Sequence, residues 1–151
     1  MQPWFLYVSL ILLGFPARVT GFREKIYVLY ACPLSLSLES YKALSRRGIR
    51  YNSRTYAPYG LNHTYIAIKS TCYDWGTWNY PRRINCMDEA LCDQNRTAIT
   101  FGFTTCAHRI SEFECAWRNV GRDFDWNSWN CQVYTDKMKE FLESCDATSL
   151  F

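Results

Sequence analysis

The chain has 151 residues, 48% of them hydrophobic and 17% aromatic, and a formal net charge of +3. A mature length near 130 residues suits one domain, and the modest charge argues against a nucleic-acid partner. Two histidines without metal-ligand spacing argue against a metal centre, eight cysteines point to covalent stapling, and no cofactor is implied.

Trp4 to Phe15 is an uncharged apolar run, followed by Pro16, Arg18 and Val19-Thr20-Gly21, with a small residue where signal peptidase cuts. The run is shorter than the ~20 residues a spanning helix needs. Residues 1–21 therefore read as a secretory signal and residues 22–151 as a single secreted, disulfide-rich domain without stable membrane insertion. The first half of that domain is basic, with Arg46, Arg47, Arg50 and Arg54 forming a solvated turn region, and the second half is acidic.

From Ile26 to Leu38 apolar residues alternate (Ile26, Val28, Tyr30, Cys32, Leu34, Leu36, Leu38), which is strand periodicity interrupted at Pro33. Glu39 to Arg47 reads as a turn or two of helix closed by Gly48, and Tyr51 to Asn62 as loop. Thr64 to Thr71 alternates again. Thr97 to Thr105 is the clearest strand, with Ile99, Phe101 and Phe103 on one face and threonines with Gly102 on the other. Met138, Phe141, Leu142 and Cys145 follow helical spacing, with Thr135 as the expected N-cap and Cys145 as an anchor. The fold class is a β-rich α+β domain with a short C-terminal helix.

The cysteines stand at Cys32, Cys72, Cys86, Cys92, Cys106, Cys115, Cys131 and Cys145, an even set for which four bridges are expected after export. A bridged sulfur is no thiolate, so cysteine-nucleophile chemistry is not expected. Export also gives meaning to two glycosylation sequons, at Asn62 and Asn95. Asp123 and Asp125 are the carboxylate pair with aromatic flanks, and with Asn127 they resemble half of a calcium loop. Ser128 and Tyr134 stand where such a loop needs glycine and glutamate, so an ordinary polar loop is expected. Trp75, Trp78, Trp126 and Trp129 form the candidate binding surface, because exposed tryptophans stack on sugars or anchor interfaces.

The spacing from Cys72 through Cys86, Cys92 and Cys106 to Cys115, with Cys32-Pro33 and Phe101-Gly102, resembles the sea-urchin-egg-lectin type domain, also called the rhamnose- or galactose-binding lectin domain. The resemblance implies bridges 32–115, 72–106 and 86–92, leaving Cys131 to pair with Cys145. It carries over no sugar-binding residue: Tyr41-Lys42-Ala43 stands nearest to that family's Tyr-Gly-Arg, and Thr104-Thr105-Cys106 replaces its Asp-Pro-Cys. Cys106 to Ile110, Trp126-x-x-Trp129 and Phe141 to Cys145 are similar to the later helices of c-type lysozymes, without an aspartate between Cys32 and Cys72, which implies an inactive relative. Ser70-Thr71-Cys72 with Trp75 and Tyr80 to Ile84 is similar to interleukin-17-type cytokines. The expected function is a secreted, non-enzymatic binding protein for an extracellular protein or glycan, with a cytokine-like ligand or an inactive lysozyme-like protein as alternatives. Oligomeric state is left open.

Overall fold

The computed structural model describes residues 23–33, 56–88, 91–92 and 95–151. The leader, Leu34 to Leu38, the expected helix at Glu39 to Arg47 and the Arg46–Arg54 cluster lie outside these residues. Five antiparallel strands, β1 (Lys25–Pro33), β2 (Asn62–Ile68), β3 (Thr71–Asp74), β4 (Arg82–Asn85) and β5 (Thr97–Thr104), form one sheet in the order β4-β3-β2-β1-β5. A 3-10 turn at Ala107–Arg109 leads into α1 (Ile110–Asn119), and α2 (Cys131–Ser144) closes the fold. The β-rich α+β expectation holds. No helix among the described residues is long and apolar enough to cross a membrane.

Alternation along β1 divides the sheet. Tyr27 and Leu29 join Ile66, Ile68, Tyr73 and Trp75 beneath the helices, where Ile110, Phe113 and Trp117 of α1 and Tyr134, Met138, Phe141 and Leu142 of α2 complete the main core. The even-numbered side of β1 meets a smaller cluster in which Cys32, Tyr65, Ala67, Cys72, Cys86, Leu91 and Cys92 are buried. Helix α1 was not anticipated as a separate element, although Ile110, Phe113, Glu114 and Trp117 carry the i, i+3, i+4, i+7 stripe that buries it. Arg83 of β4 grips Glu114 with Nε at 2.9 Å and a terminal nitrogen at 2.8 Å, pinning α1 to the strand at the opposite edge from β5.

The C-terminal helix begins one turn earlier than Thr135. Asn130 is the N-cap: its side-chain oxygen accepts from the backbone N–H groups of Gln132 and Val133. Thr135 is fully buried inside the helix, its hydroxyl 2.8 Å from that of Thr64 on β2. An asparagine at the end of a turn, followed by the first buried residue of the stripe, is the stronger capping signal. Thr71 likewise belongs to β3, because Lys69 at φ 56° turns the chain after Ile68.

Disulfides correct the expected pairing most. Cys72 joins Cys86 and Cys106 joins Cys145, while Cys32, Cys92, Cys115 and Cys131 are free. Two bridges replace the expected four, and the 32–115, 72–106, 86–92 and 131–145 pairs do not form. The reasons are geometric. Antiparallel pairing of β3 with β4 sets Cys72 opposite Ile84 and leaves Cys86 donating to the carbonyl of Ser70, with the bridged Cα atoms 5.0 Å apart. Cys131 and Cys145 sit at the two ends of the 14-residue α2, roughly 20 Å apart at helical rise and far beyond disulfide reach. Cys145 does anchor the helix as expected, but to Cys106 at the end of β5.

Candidate functional site

The first residue of α2 lies where β2 begins. Cys131 is buried there, its sulfur 3.9 Å from the carbonyl oxygen of Asn62. His63, next along β2, is 4% exposed and lies close enough to the Cys131 sulfur for each to act on the other's charge. Its Nε2 lies 3.0 Å from Oδ2 of Asp74 on β3. Asp74, wholly buried, also accepts two hydrogen bonds from Arg82 of β4, from Nε at 3.0 Å and from a terminal nitrogen at 2.7 Å. Arg82 in turn lies 3.4 Å from the centre of the Trp78 ring. Three neighbouring strands, one helix terminus and the β3–β4 loop thus assemble a line, Cys131, His63, Asp74, Arg82, Trp78, buried at its Cys131–Asp74 end and half-buried at Arg82 and Trp78.

The electrostatics follow from that order. Burial opposes a charge on His63, yet the Cys131 sulfur and the Asp74 carboxylate outweigh it and raise the imidazole to about 10. Burial would raise the Asp74 carboxyl, but His63 and Arg82 together hold it below its ordinary range. Burial likewise works against a Cys131 thiolate; the nearby charge of His63 brings the thiol below its usual value. The arrangement makes the charged form of Cys131 and that of His63 favour one another. Its position at the start of a helix adds to the effect, because the helix N-terminus carries partial positive charge.

A shallow pocket opens beside Cys131. Its wall includes Tyr56, Leu61, Asn62, Trp126, Asn130 and Gln132. Gln132 holds the loop in place by donating from its side-chain amide to the carbonyls of Gly60 at 2.7 Å and Asn62 at 3.0 Å. Asp136 accepts from the hydroxyls of Tyr56 at 2.6 Å and Tyr59 at 2.7 Å, which closes the loop against α2.

The tryptophans expected to form one binding surface separate into different roles. Trp75 and Trp129 are buried in the main core, Trp75 edge-on to Trp117 and Trp129 stacked on it with ring centres 4.5 Å apart. They are core filler, because the space between the sheet and two short helices is closed by large flat rings. Trp78 is half-buried under Arg82, and Trp126 is half-buried in the pocket wall. Asp125 is occupied locally: its Oδ1 accepts from the N–H groups of Asn127 at 3.0 Å and Ser128 at 2.8 Å, which makes Asp125–Ser128 a turn held by its first side chain. The sequons also differ. Asn95 is exposed just before β5, whereas Asn62 is half-buried, with its side-chain amide donating to the carbonyl of Tyr59 at 2.6 Å.

At the far edge of the sheet lies a bare apolar face. Phe101 and Phe103 of β5 are 66% and 56% exposed, and Ile26 of β1 is 53% exposed. Register places Ile26 opposite Phe103 and Val28 opposite Phe101, so these side chains form one continuous surface. The reverse side of β5 carries Gly102, where a Cβ would come within 2.5 Å of the Tyr27 hydroxyl oxygen. The sequence reading found the two faces of this strand correctly; the face with the aromatic residues is the one left in solvent.

Sequence reasoning missed the Cys131–His63–Asp74 line, since its members come from β2, β3 and α2. Only the placement of Cys131 directly after the capping Asn130 was visible as a signal. Comparison of the chain with protein-family models, curated proteins and solved structures finds no match in any of the three.

Proposed function

We propose that this is a secreted, non-enzymatic binding protein that docks a cell-surface protein on the open face of β1 and β5. The observation that carries this reading is the bare row of Ile26 on β1 with Phe101 and Phe103 on the edge strand β5, which has no charged residue from Thr97 to Thr104. An edge strand of this kind offers unpaired backbone groups together with apolar side chains, the combination that an extended, uncharged segment of a partner fills by strand addition. A protein is favoured over a glycan because Trp75 and Trp129 are withdrawn into the core and Trp78 is covered by Arg82. Asn95 is the sequon placed to carry a glycan, at the N-terminal end of the same strand.

The test is binding of fluorescently labelled protein to cells. Protease treatment of the cells is expected to abolish binding and glycosidase treatment to leave it. The Phe101→Ser/Phe103→Ser variant should lose at least about tenfold in affinity, as removal of central aromatic anchors does. Unchanged binding by that variant, or loss of binding after glycosidase treatment, would overturn the reading.

A further inference from the structure

We infer that a second copy of this chain pairs with the edge of the sheet through β5, antiparallel and centred on Gly102, so that two sheets join into one across a twofold axis. The inference stands on the sequence and register of the strand itself and does not depend on docking of a cell-surface protein. A docking segment and a second copy take the same backbone edge in turn.

Three observations carry it. First, the edge strand reads the same in both directions over Thr100-Phe101-Gly102-Phe103-Thr104. When a strand pairs antiparallel with its own copy, positions equally far before and after the central residue meet. Centred on Gly102, Phe101 meets Phe103 of the second copy on one face of the sheet, and Thr100 meets Thr104 of the second copy on the other. Each pair occurs twice, and aromatic pairs are among the favourable cross-strand neighbours. Second, this palindrome is the regular half of the strand. Lys25 to Leu29 of β1 stand opposite Thr104 to Thr100 without a break, and the register slips only beyond, where Ile99 is an extra residue. A bulge turns an edge away from a newcomer, so the strand is protected before Thr100 and open after it. Third, β5 has neither a charged residue nor a proline from Thr97 to Thr104. Self-pairing sets like residues close together, and here no like charges meet.

The symmetry fixes what such a pair looks like. An axis perpendicular to the sheet keeps the same face of both copies on one side, so Phe101 and Phe103 of both form one aromatic row flanked by Ile26 of each. Contact involves one short strand and the flanks of those rings from each copy, less than the about 1,600 Å² of a standard stable interface, so the dimer is weak and exchanges with monomer. Growth ends at two copies, because the axis uses up the β5 edge of each. The opposite edge is β4, where Arg82 and Arg83 would bring like charges together.

The experiment is sedimentation equilibrium of the purified protein from about 5 µM to about 500 µM, the range over which a small interface exchanges. The mass should climb from one chain toward two and stop there. Phe101→Lys/Phe103→Lys sets lysine against lysine at both aromatic positions across the axis, and Phe101→Lys/Phe103→Glu sets lysine against glutamate. The second variant should associate roughly tenfold more tightly than the first. Both lack the rings on which docking to cells depends, so the difference between them reports self-pairing alone. Equal association by the two variants would overturn the register. A wild-type mass of one chain at the highest concentration, or growth beyond two chains, would overturn the inference without reference to any variant. So would a dimer that survives detergent until a reductant is added, since that one is joined through a cysteine.

Discussion

The two sides of this sheet are built from the same kind of alternation and end in opposite states. Beneath the helices, Tyr27, Leu29, Ile66 and Trp75 meet Phe113, Trp117, Tyr134 and Phe141 and are almost completely buried. On the other side the cluster around Cys32, Tyr65 and Leu91 covers β1 to β3 and stops, so that Ile26, Phe101 and Phe103 stay bare. On β5 the side that packs holds Gly102 and Thr104, and the side that would ordinarily pack is in solvent. Period-2 patterning states which residues share a face; which face is covered depends on where the next layer lands.

Experiments can break this contrast, beginning with the covered side. Removing the 106–145 bridge through Cys106→Ala/Cys145→Ala frees a loop of 39 residues and should lower stability by about 4 kcal/mol, read as a fall in Tm and early loss of α2 protection in hydrogen exchange. The Asp74→Asn variant leaves His63 and Arg82 without their buried counter-charge and should cost about 3 kcal/mol in chemical denaturation. Its pH dependence gives a sharper test. Because the folded carboxyl is held below its ordinary value, its contribution is present above the unfolded pKa of about 4 and is lost as pH falls through the lower folded value. Wild type should therefore lose more stability than Asp74→Asn between about pH 4 and pH 2.

On the boundary between the two sides, Gly102→Ala drives a methyl into the Tyr27 ring, which is itself fixed by a 2.6 Å hydrogen bond to Glu143. A loss of about 2 kcal/mol is expected, with a shift of the Tyr27 ring signals. The open side should respond least in stability. Phe101→Ser/Phe103→Ser is expected to move unfolding by no more than about 1 kcal/mol, reflecting strand propensity, while abolishing binding of a hydrophobic dye. A large destabilisation would mean that the aromatic row is part of the core and would remove the basis for a docking face there.

The strands at Ile26–Cys32, Thr64–Ile68 and Thr97–Thr104 and the C-terminal helix were legible because period 2 and period 3.6 are local signals. The short strands β3 and β4 were not, since four residues give too little periodicity. The candidate site was less legible still. Trp75, Trp78, Trp126 and Trp129 are near one another in sequence and chemically alike, yet two fill the core, one lies under an arginine and one lines a pocket. The sequence reading treated Cys131 as half of a bridge. His63 has no second histidine at metal-ligand spacing and gave no signal in the sequence, but it comes close to Cys131 because β2 and α2 meet at their first residues.

From its sequence by itself this chain specifies a β-rich domain, a helix at its end with Cys145 as an anchor, and a strand with two unlike faces at Thr97 to Thr105. Hydrogen-bond periodicity and side-chain alternation act over a few residues, so these are written locally. Tertiary structure decided which cysteines meet, which tryptophans are hidden, which face of β5 is bare and which thiol stands beside an imidazole. Each of those depends on strand register and on where two helices settle across the sheet, and contacts between residues up to 116 positions apart, such as Tyr27 with Glu143, cannot be read from spacing along the chain.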